Sequence, residues 1–373
     1  MILSPNSVRI DLSALVHNLN QVKRVISPST KIMGVVKSDA YGHGAVPVSQ
    51  VLENNGVHSL GVAHFHEALE LRRNGIGLPI VILCGIRARE EARAVLEKDL
   101  SPVLFEPAQV ELLAQECARI GKRANIYIKI DTGMGRLGVM VSGLEALLQK
   151  VRRYKELFLE GLSSHLSSAD EPASEFTRLQ IDNFRRAIEV ARAMGLEPPL
   201  NNMANSAGVM GYKEAHFDMV RPGIMLYGGL PSPEFHSPLP LMPVMHFKGQ
   251  VIQVKDLPDC TPVSYGRTYY TEGPQRIAVV SVGYGDGLPR SLSNAGKVLI
   301  GGQKVSIVGR VCMNMIMTDI TGLNHVGAGD EAVFIGSQGE QRITGDDMAA
   351  WAGTVAYEIF CSLGQRNTRE HVS

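Results

Sequence analysis

Lys37 follows directly on the apolar run Ile32-Met33-Gly34-Val35-Val36. Lysine is almost never fully buried unless it is paired or put to use. At the end of a buried strand its amine could form a Schiff base or act as a general base, and both uses need a depressed pKa. The unreactive alternative is a side chain that snorkels past the strand end into water. The next residues, Ser38-Asp39-Ala40-Tyr41-Gly42-His43-Gly44, place two glycines and two polar-tipped rings beside it. Such glycines let a ligand come close to the backbone. The stretch is neither a Walker loop nor a G-x-G-x-x-G fingerprint. Further chemistry-bearing side chains sit where other apolar runs end: Lys129-Ile130-Asp131 leading into Thr132-Gly133-Met134-Gly135-Arg136, then His165, then Asn202 with Asn205-Ser206, and finally Arg221-Pro222-Gly223-Ile224.

These groups can act together only if the strands carrying them are neighbours. Eight short runs read as strands: Ile32–Val36, Ser59–Ala63, Pro79–Leu83, Ser101–Leu104, Asn125–Ile130, Leu157–Ser163, Leu200–Met203 and Phe217–Val220. Amphipathic stretches lie between them, among them Phe65–Asn74, Arg87–Glu97, Pro107–Ile120, Leu144–Tyr154 and Glu175–Met194, with apolar residues at three- and four-residue spacing. Eight strand–helix units predict an α/β fold with an N-terminal (β/α)8 barrel of the TIM type. In such a barrel the chemistry sits at the C-terminal ends of the strands, and phosphate commonly binds after the last two, where Gly223 falls. The texture changes at Gly228-Gly229-Leu230-Pro231-Ser232-Pro233 and Ser237-Pro238-Leu239-Pro240, a turn-rich boundary. Beyond it, Phe247–Val254, Gln275–Ser281, Lys297–Ile300, Val305–Val308 and Asp330–Ile335 read as strands of a mainly-β domain, with a helix over Thr344–Thr354. The expected division is residues 1–233 and 234–373.

Composition narrows the function. The 373 residues carry 37 Lys+Arg and 37 Asp+Glu, and that balance argues against a nucleic-acid or membrane-surface protein. Nothing approaches the roughly 18 apolar residues needed to cross a bilayer. Cys84, Cys117, Cys260, Cys312 and Cys361 are scattered and odd in number, which excludes a disulfide framework or a cysteine-rich zinc site and fits a reducing cytoplasm. The segment Met1–Ser7 has neither the basic start nor the apolar stretch of a signal peptide, so a cytoplasmic location is expected.

Together the motifs are distinctive. Lys37-Ser38-Asp39-Ala40-Tyr41-Gly42-His43-Gly44 resembles the pyridoxal-phosphate signature of alanine racemases. So do Lys129-Ile130-Asp131-Thr132-Gly133-Met134-Gly135-Arg136-Leu137-Gly138, Val220-Arg221-Pro222-Gly223-Ile224, Val263-Ser264-Tyr265-Gly266, Gly283-Tyr284-Gly285-Asp286-Gly287 and Gly309-Arg310-Val311-Cys312-Met313. They occur in the family's order from about residue 8 to about 370.

The resemblance implies an isomerase that interconverts L- and D-alanine on pyridoxal 5'-phosphate and supplies D-alanine for peptidoglycan. It implies that Lys37 is the Schiff-base lysine and, once freed, the base on the D face, with Tyr265 the base on the L face. A phenol titrates near 10 and needs a positive neighbour to act near neutral pH. His165 matches the residue bonded to that tyrosine, with Arg221 beyond it. Arg221 matches the partner of the pyridine nitrogen. A guanidinium has no lone pair to share and is a poor proton donor, which favours returning the proton to Cα. Tyr41, Ser206, Tyr357 and the amides of Gly223 and Ile224 match the phosphate site. Arg136 and the backbone of Met313 match the groups that meet the substrate carboxylate. Asp170, Tyr284, Arg290 and Arg310 match the access corridor, with Tyr265 and Tyr357 at its inner end. The family works as a head-to-tail homodimer in which each β domain completes the partner's site, and no metal is implied.

Three other readings compete. A non-catalytic pyridoxal-phosphate carrier would stop after one domain. A decarboxylase of similar architecture would need acids for a distal amine and lacks the Tyr265 motif. A broad-specificity amino-acid racemase would be exported and would have a smaller residue in place of Tyr357. One position departs from the family pattern: Asn314 stands where an aspartate is usual. Lys129 poses a separate question. As a free ammonium near Arg136 it needs compensation, which Asp131 could supply from the same strand face. The alternative is a carbamate formed with CO2, as in some family members, which would hold Arg136 by a charge-assisted pair.

Overall fold

The computed structural model describes residues 6–171, 174–232 and 234–373. Met1–Pro5 and Pro233, which entered the reading of the start and of the domain boundary, lie outside them. Parallel strands Lys31–Val35, Ser59–Val62, Ile80–Ile82, Leu100–Leu104, Ala124–Asp131 and Leu157–Ser163 lie side by side in chain order. The seventh position of the barrel is a single residue, Asn202, bridging Ser163 to Met219. Met219–Val220 then pairs with Lys31 and Ile32, and the ring closes. The expected run Leu200–Met203 is therefore reduced to one bridge.

Local chemistry sets the helices. Glu175–Ala193 starts on Ser174, whose hydroxyl accepts the Thr177 amide, and it buries Ile181, Phe184, Ala187, Ile188 and Ala191 at helical spacing. Pro107–Ile120 opens with proline in its first turn behind a Glu106/Gln109 capping box and ends on Gly121 at φ 75°. Their apolar faces cover the strands in one continuous core. A smaller cluster of Met33, Val81, Val103, Tyr127 and Met219 draws one residue from each of five strands, as a packed barrel interior requires.

The second unit is mainly β. Its sheet runs in the order Gln303–Ser306, Lys297–Ile300, Glu331–Gln338, Met245–Leu257, Ser7–Asp11, Arg369–Val372, with Gln275–Val280 and Ile316–Asp319 extending it from the long central strand. Strand Ser7–Asp11, absent from the sequence reading, pairs antiparallel with Met245–Lys248 and parallel with Arg369–Val372. Both ends of the chain thus build the β domain's sheet. Helix Gly345–Ala352 is followed by a second, Ala356–Arg366. Among the described residues, no helix is long and apolar enough to cross a membrane.

Candidate active site

Val35 and Lys37, at the end of the first barrel strand, open onto a cavity of about 290 Å³ at the strands' C-terminal ends. Burial lowers the pKa of Lys37; Arg136 and Arg221 push the same way, and Cys84 and Glu67 partly oppose them. A larger share of the amine is therefore neutral and nucleophilic at physiological pH. The four residues after it, Ser38, Asp39, Ala40 and Tyr41, all adopt left-handed backbone angles, with φ between 53° and 56°. For residues with a Cβ this costs roughly 1–2 kcal/mol each, so the turn persists only where its surroundings impose it.

The turn delivers Tyr41 to the far wall. Its ring lies between Tyr227, at 4.9 Å, and Tyr357, at 5.7 Å, and the Tyr227 hydroxyl donates to the Val35 carbonyl at 2.8 Å. Across from Tyr41, the Ser206 hydroxyl oxygen accepts from the amides of Gly223 (3.0 Å) and Met225 (3.3 Å). A Cβ on Gly223 would collide with the Tyr41 hydroxyl, so only glycine fits there. The Ile224 amide, first in the short helix Ile224–Tyr227, has no hydrogen-bond partner among the described residues. Two hydroxyls and an open helix-end amide thus converge on one corner, the donor set an oxyanion such as phosphate takes.

Arg221, buried at 5% exposure, is held from several sides. Nη1 donates to Ser163 Oγ (2.7 Å) and Asn202 Oδ1 (2.8 Å); Nη2 donates to the carbonyls of Ser164 and Met203 and to His165 Nδ1 (3.3 Å). Nε–H has no partner among the described residues and is the donor left for the cavity that Arg221 lines. Burial, then Arg136, lowers Arg221 to about 10, still a cation at neutral pH. Since Arg221 can only donate, His165 Nδ1 must accept, which leaves the imidazole proton on Nε2. Burial and then Arg221 press the His165 pKa well below its usual value, so the ring is neutral.

Lys129 and Arg136 also line the cavity. Burial, Arg221 and Arg136 drive the pKa of Lys129 well down. Asp131 does not pair with it: its Oδ1 accepts the amides of Gly133 (2.9 Å) and Gly135 (3.1 Å), shaping the loop that leads to Arg136. Four basic side chains, Lys37, Lys129, Arg136 and Arg221, therefore face a cavity lined by no carboxylate among the described residues.

The cavity brings together Lys37, Tyr41, Lys129, Arg136, His165, Ser206, Arg221, Gly223, Ile224 and Tyr357. The other expected site residues lie elsewhere. Tyr265 is 71% exposed and Met313 58%, both on the β domain. The Arg310 guanidinium packs beside Gly266, next to Tyr265. Tyr284 and Arg290 line a separate surface hollow with Arg366, and Asp170 lines another with Tyr212. Ala63, Leu83 and Cys84 also line the cavity, and the Ser163 hydroxyl orients Arg221; they stand outside the distinctive motifs, and their signal is their place at barrel strand ends.

Known proteins match this arrangement along nearly the whole chain. Residues 10–231 match the family model for the alanine racemase N-terminal domain, and residues 244–371 the model for the C-terminal domain. The alanine racemase of Syntrophobacter fumaroxidans is 44% identical, with 96% of this chain and 95% of that protein covered. Among solved structures, the alanine racemase of a D-cycloserine-producing Streptomyces lavendulae superposes with a TM-score of 0.94 at 34% identity, over 100% of this chain and 98% of that one. The Bartonella henselae alanine racemase, solved with covalently bound pyridoxal phosphate, gives 0.89 at 30% identity, over 98% and 99%. The cavity, its basic lining and these matches agree, and the chain belongs to the alanine racemase family of isomerases.

Proposed function

We propose that this chain racemises alanine with pyridoxal 5'-phosphate attached to Lys37. The observation that carries the reading is a lysine of lowered pKa opening onto a cavity lined by four basic side chains and, among the described residues, no carboxylate, whose far corner offers oxyanion donors. Two anionic groups, the cofactor's phosphate and the substrate's carboxylate, suit that charge. Tyr41, Ser206 and the open Ile224 amide would hold the phosphate, joined by the Gly223 amide once it turns from Ser206 Oγ, with Tyr357 packed behind Tyr41. Arg221 would offer its uncommitted Nε–H to the pyridine nitrogen. When bound, the cofactor withdraws electrons from the substrate's Cα and acidifies its hydrogen.

The chain's own residues then manage that proton. Lys37 Nζ takes or returns it on one face, and Tyr265 Oη on the other. Neutral His165, with its proton on Nε2, would donate to Tyr265 and stabilise its anion. Arg136 and the Met313 backbone would hold the carboxylate. Because Tyr265 and Met313 project from the β domain into solvent and do not line this chain's cavity, they would serve a second copy's cavity. That makes a head-to-tail dimer the working unit: each barrel holds a cofactor and each β domain completes the partner's site. Tyr284, Arg290, Arg310 and Asp170 would border the route in. The scattered, odd-numbered cysteines support a cytoplasmic location, and the family membership supports a role in supplying D-alanine for peptidoglycan.

Two experiments test this. Borohydride reduction and peptide mapping should place the pyridoxyl group on Lys37; another lysine would end the assignment. Mixing inactive Lys37→Ala and Tyr265→Phe chains should restore one intact site per heterodimer, whereas heterodimers that form yet stay inactive refute sharing between subunits.

A further inference from the structure

The left-handed turn after Lys37 is imposed from a distance. The Asp39 carboxylate accepts the Ala45 amide through Oδ1 (2.7 Å) and pairs through Oδ2 with Arg369. The same Arg369 nitrogen donates to the Gly42 carbonyl at 3.0 Å, so one guanidinium holds both the middle and the exit of the turn. Arg369 is itself fixed, because its strand pairs with Ser7–Asp11. Two residues on, His371 Nε2 meets the His43 carbonyl at 2.8 Å. Gly364 of the last helix lies so close to Gly42 that a Cβ on it would strike the Gly42 carbonyl. The Arg369–Asp39 pair is half-buried, with side chains 24% and 32% exposed, so water screens it less than a surface pair. Nothing local favours four consecutive left-handed residues, whereas these contacts hold them in place.

We infer that Arg369, acting through Asp39, is a positioning residue for Lys37: it clamps the left-handed turn so that the amine stays directed into the cavity. The inference rests on Lys37 carrying the cofactor. Neither clamp residue lines the cavity. Released from the clamp, the turn relaxes toward ordinary backbone angles and Lys37 moves toward water. Cofactor retention and the amine's titration then change together. The groups that bear on that titration are Arg136, Arg221, Cys84 and Glu67, and none of them belongs to the clamp.

The test uses the full-length holoenzyme with Arg369→Met, Arg369→Lys and Asp39→Asn. For Arg369→Met, loss of a charge-assisted bond predicts cofactor release faster by on the order of tenfold or more. It also predicts an upward move in the pH at which the apo-protein combines half-maximally with pyridoxal phosphate, and a lower kcat with an unchanged alanine KM at saturating cofactor. Arg369→Lys should recover most of each effect, because an ammonium can still reach Asp39. Release rate and pH midpoint unchanged in a folded Arg369→Met protein overturn the clamp. If that variant does not fold, Asp39→Asn decides, since its oxygen keeps the Ala45 cap while an NH2 group, which cannot accept, replaces the oxygen that meets Arg369; unchanged release there overturns the clamp equally. Borohydride mapping of the unaltered protein separates the two claims. Label on another lysine defeats the Lys37 reading and the clamp with it, whereas label on Lys37 with unchanged release defeats the clamp alone.

Discussion

His43 gives this fold a measurable acid sensitivity. Its ring has no solvent exposure, lies over Tyr227 at 4.6 Å and meets the edge of Phe360 at 5.2 Å. Nδ1–H donates to the carbonyls of Ala40 and Tyr41, both at 3.0 Å, while Nε2 is buried with no partner among the described residues. Burial outweighs the two backbone bonds and lowers the pKa from 6.5 to about 4. Between those values the unfolded chain binds a proton that the folded protein refuses. The contribution to stability is therefore complete above the unfolded value and is lost as pH falls toward 4. Integrated from pH 7 to pH 5, the loss is about 2 kcal/mol from this residue alone. His43→Gln keeps an N–H donor for the two carbonyls and removes the titration. Urea unfolding at pH 7 and pH 5, followed by far-ultraviolet circular dichroism at one protein concentration, gives the two differences. The unaltered protein should lose about 2 kcal/mol more than the variant over that interval; His165 and the other histidines cancel in the comparison. Equal losses in both proteins would refute a buried neutral His43.

Other outcomes follow from the cavity. Lys129 lacks a carboxylate partner between two arginines, so a carbamate would relieve it; Lys129→Ala should lose activity, and added acetate should partly restore it. No acetate rescue, with a bare amine in a crystal structure, defeats that idea. Tyr265→Phe should keep the cofactor yet slow racemisation by roughly 10²–10⁴-fold, the usual worth of a positioned acid–base group. The loss should show first in α-hydrogen exchange of L-alanine, and unchanged exchange would assign the L face to another residue. Tyr357→Ala opens space beside Tyr41, so serine turnover should rise relative to alanine; an unchanged ratio places selectivity elsewhere.

The barrel is legible in the sequence because its strands are short, mostly apolar segments and its helices carry a clear three–four period. The seventh strand shrinks to one bridge at Asn202 because two of the four residues in Leu200–Met203 are asparagines, which strands disfavour, although the Leu200 amide still donates to the Glu160 carbonyl and the Asn201 carbonyl accepts from Met219. Strand Ser7–Asp11 carries a local signal, since Ser-Val-Arg-Ile-Asp alternates polar and apolar residues with Val8 and Ile10 buried; only its partners, residues 245–248 and 369–372, lie too far along the chain to be read. The left-handed turn was invisible for a related reason: Ser-Asp-Ala-Tyr has no local preference for it, and tertiary contacts impose it. Helix Ala356–Arg366 could have been found, since Ile359, Phe360 and Leu363 form one buried stripe. Cavity residues were readable from motif and strand position together. The orientation of Arg221 was not, because the Ser163 and Asn202 atoms that hold it come from separate strands.

The parallel pairing of Ser7–Asp11 with Arg369–Val372 has a consequence for how the molecule is made. The first of these strands leaves the ribosome long before its neighbour is translated. At 5–20 residues per second the interval is roughly twenty to seventy seconds. Through that time one edge of Ser7–Asp11 has no native partner, a template for pairing with another chain. The strand that ends the wait also brings Arg369 to the Lys37 turn, so the cofactor loop should be among the last parts of the nascent chain to mature. A chain cut short before Arg369 would then carry a barrel that is nearly complete yet lacks the residue that holds its turn.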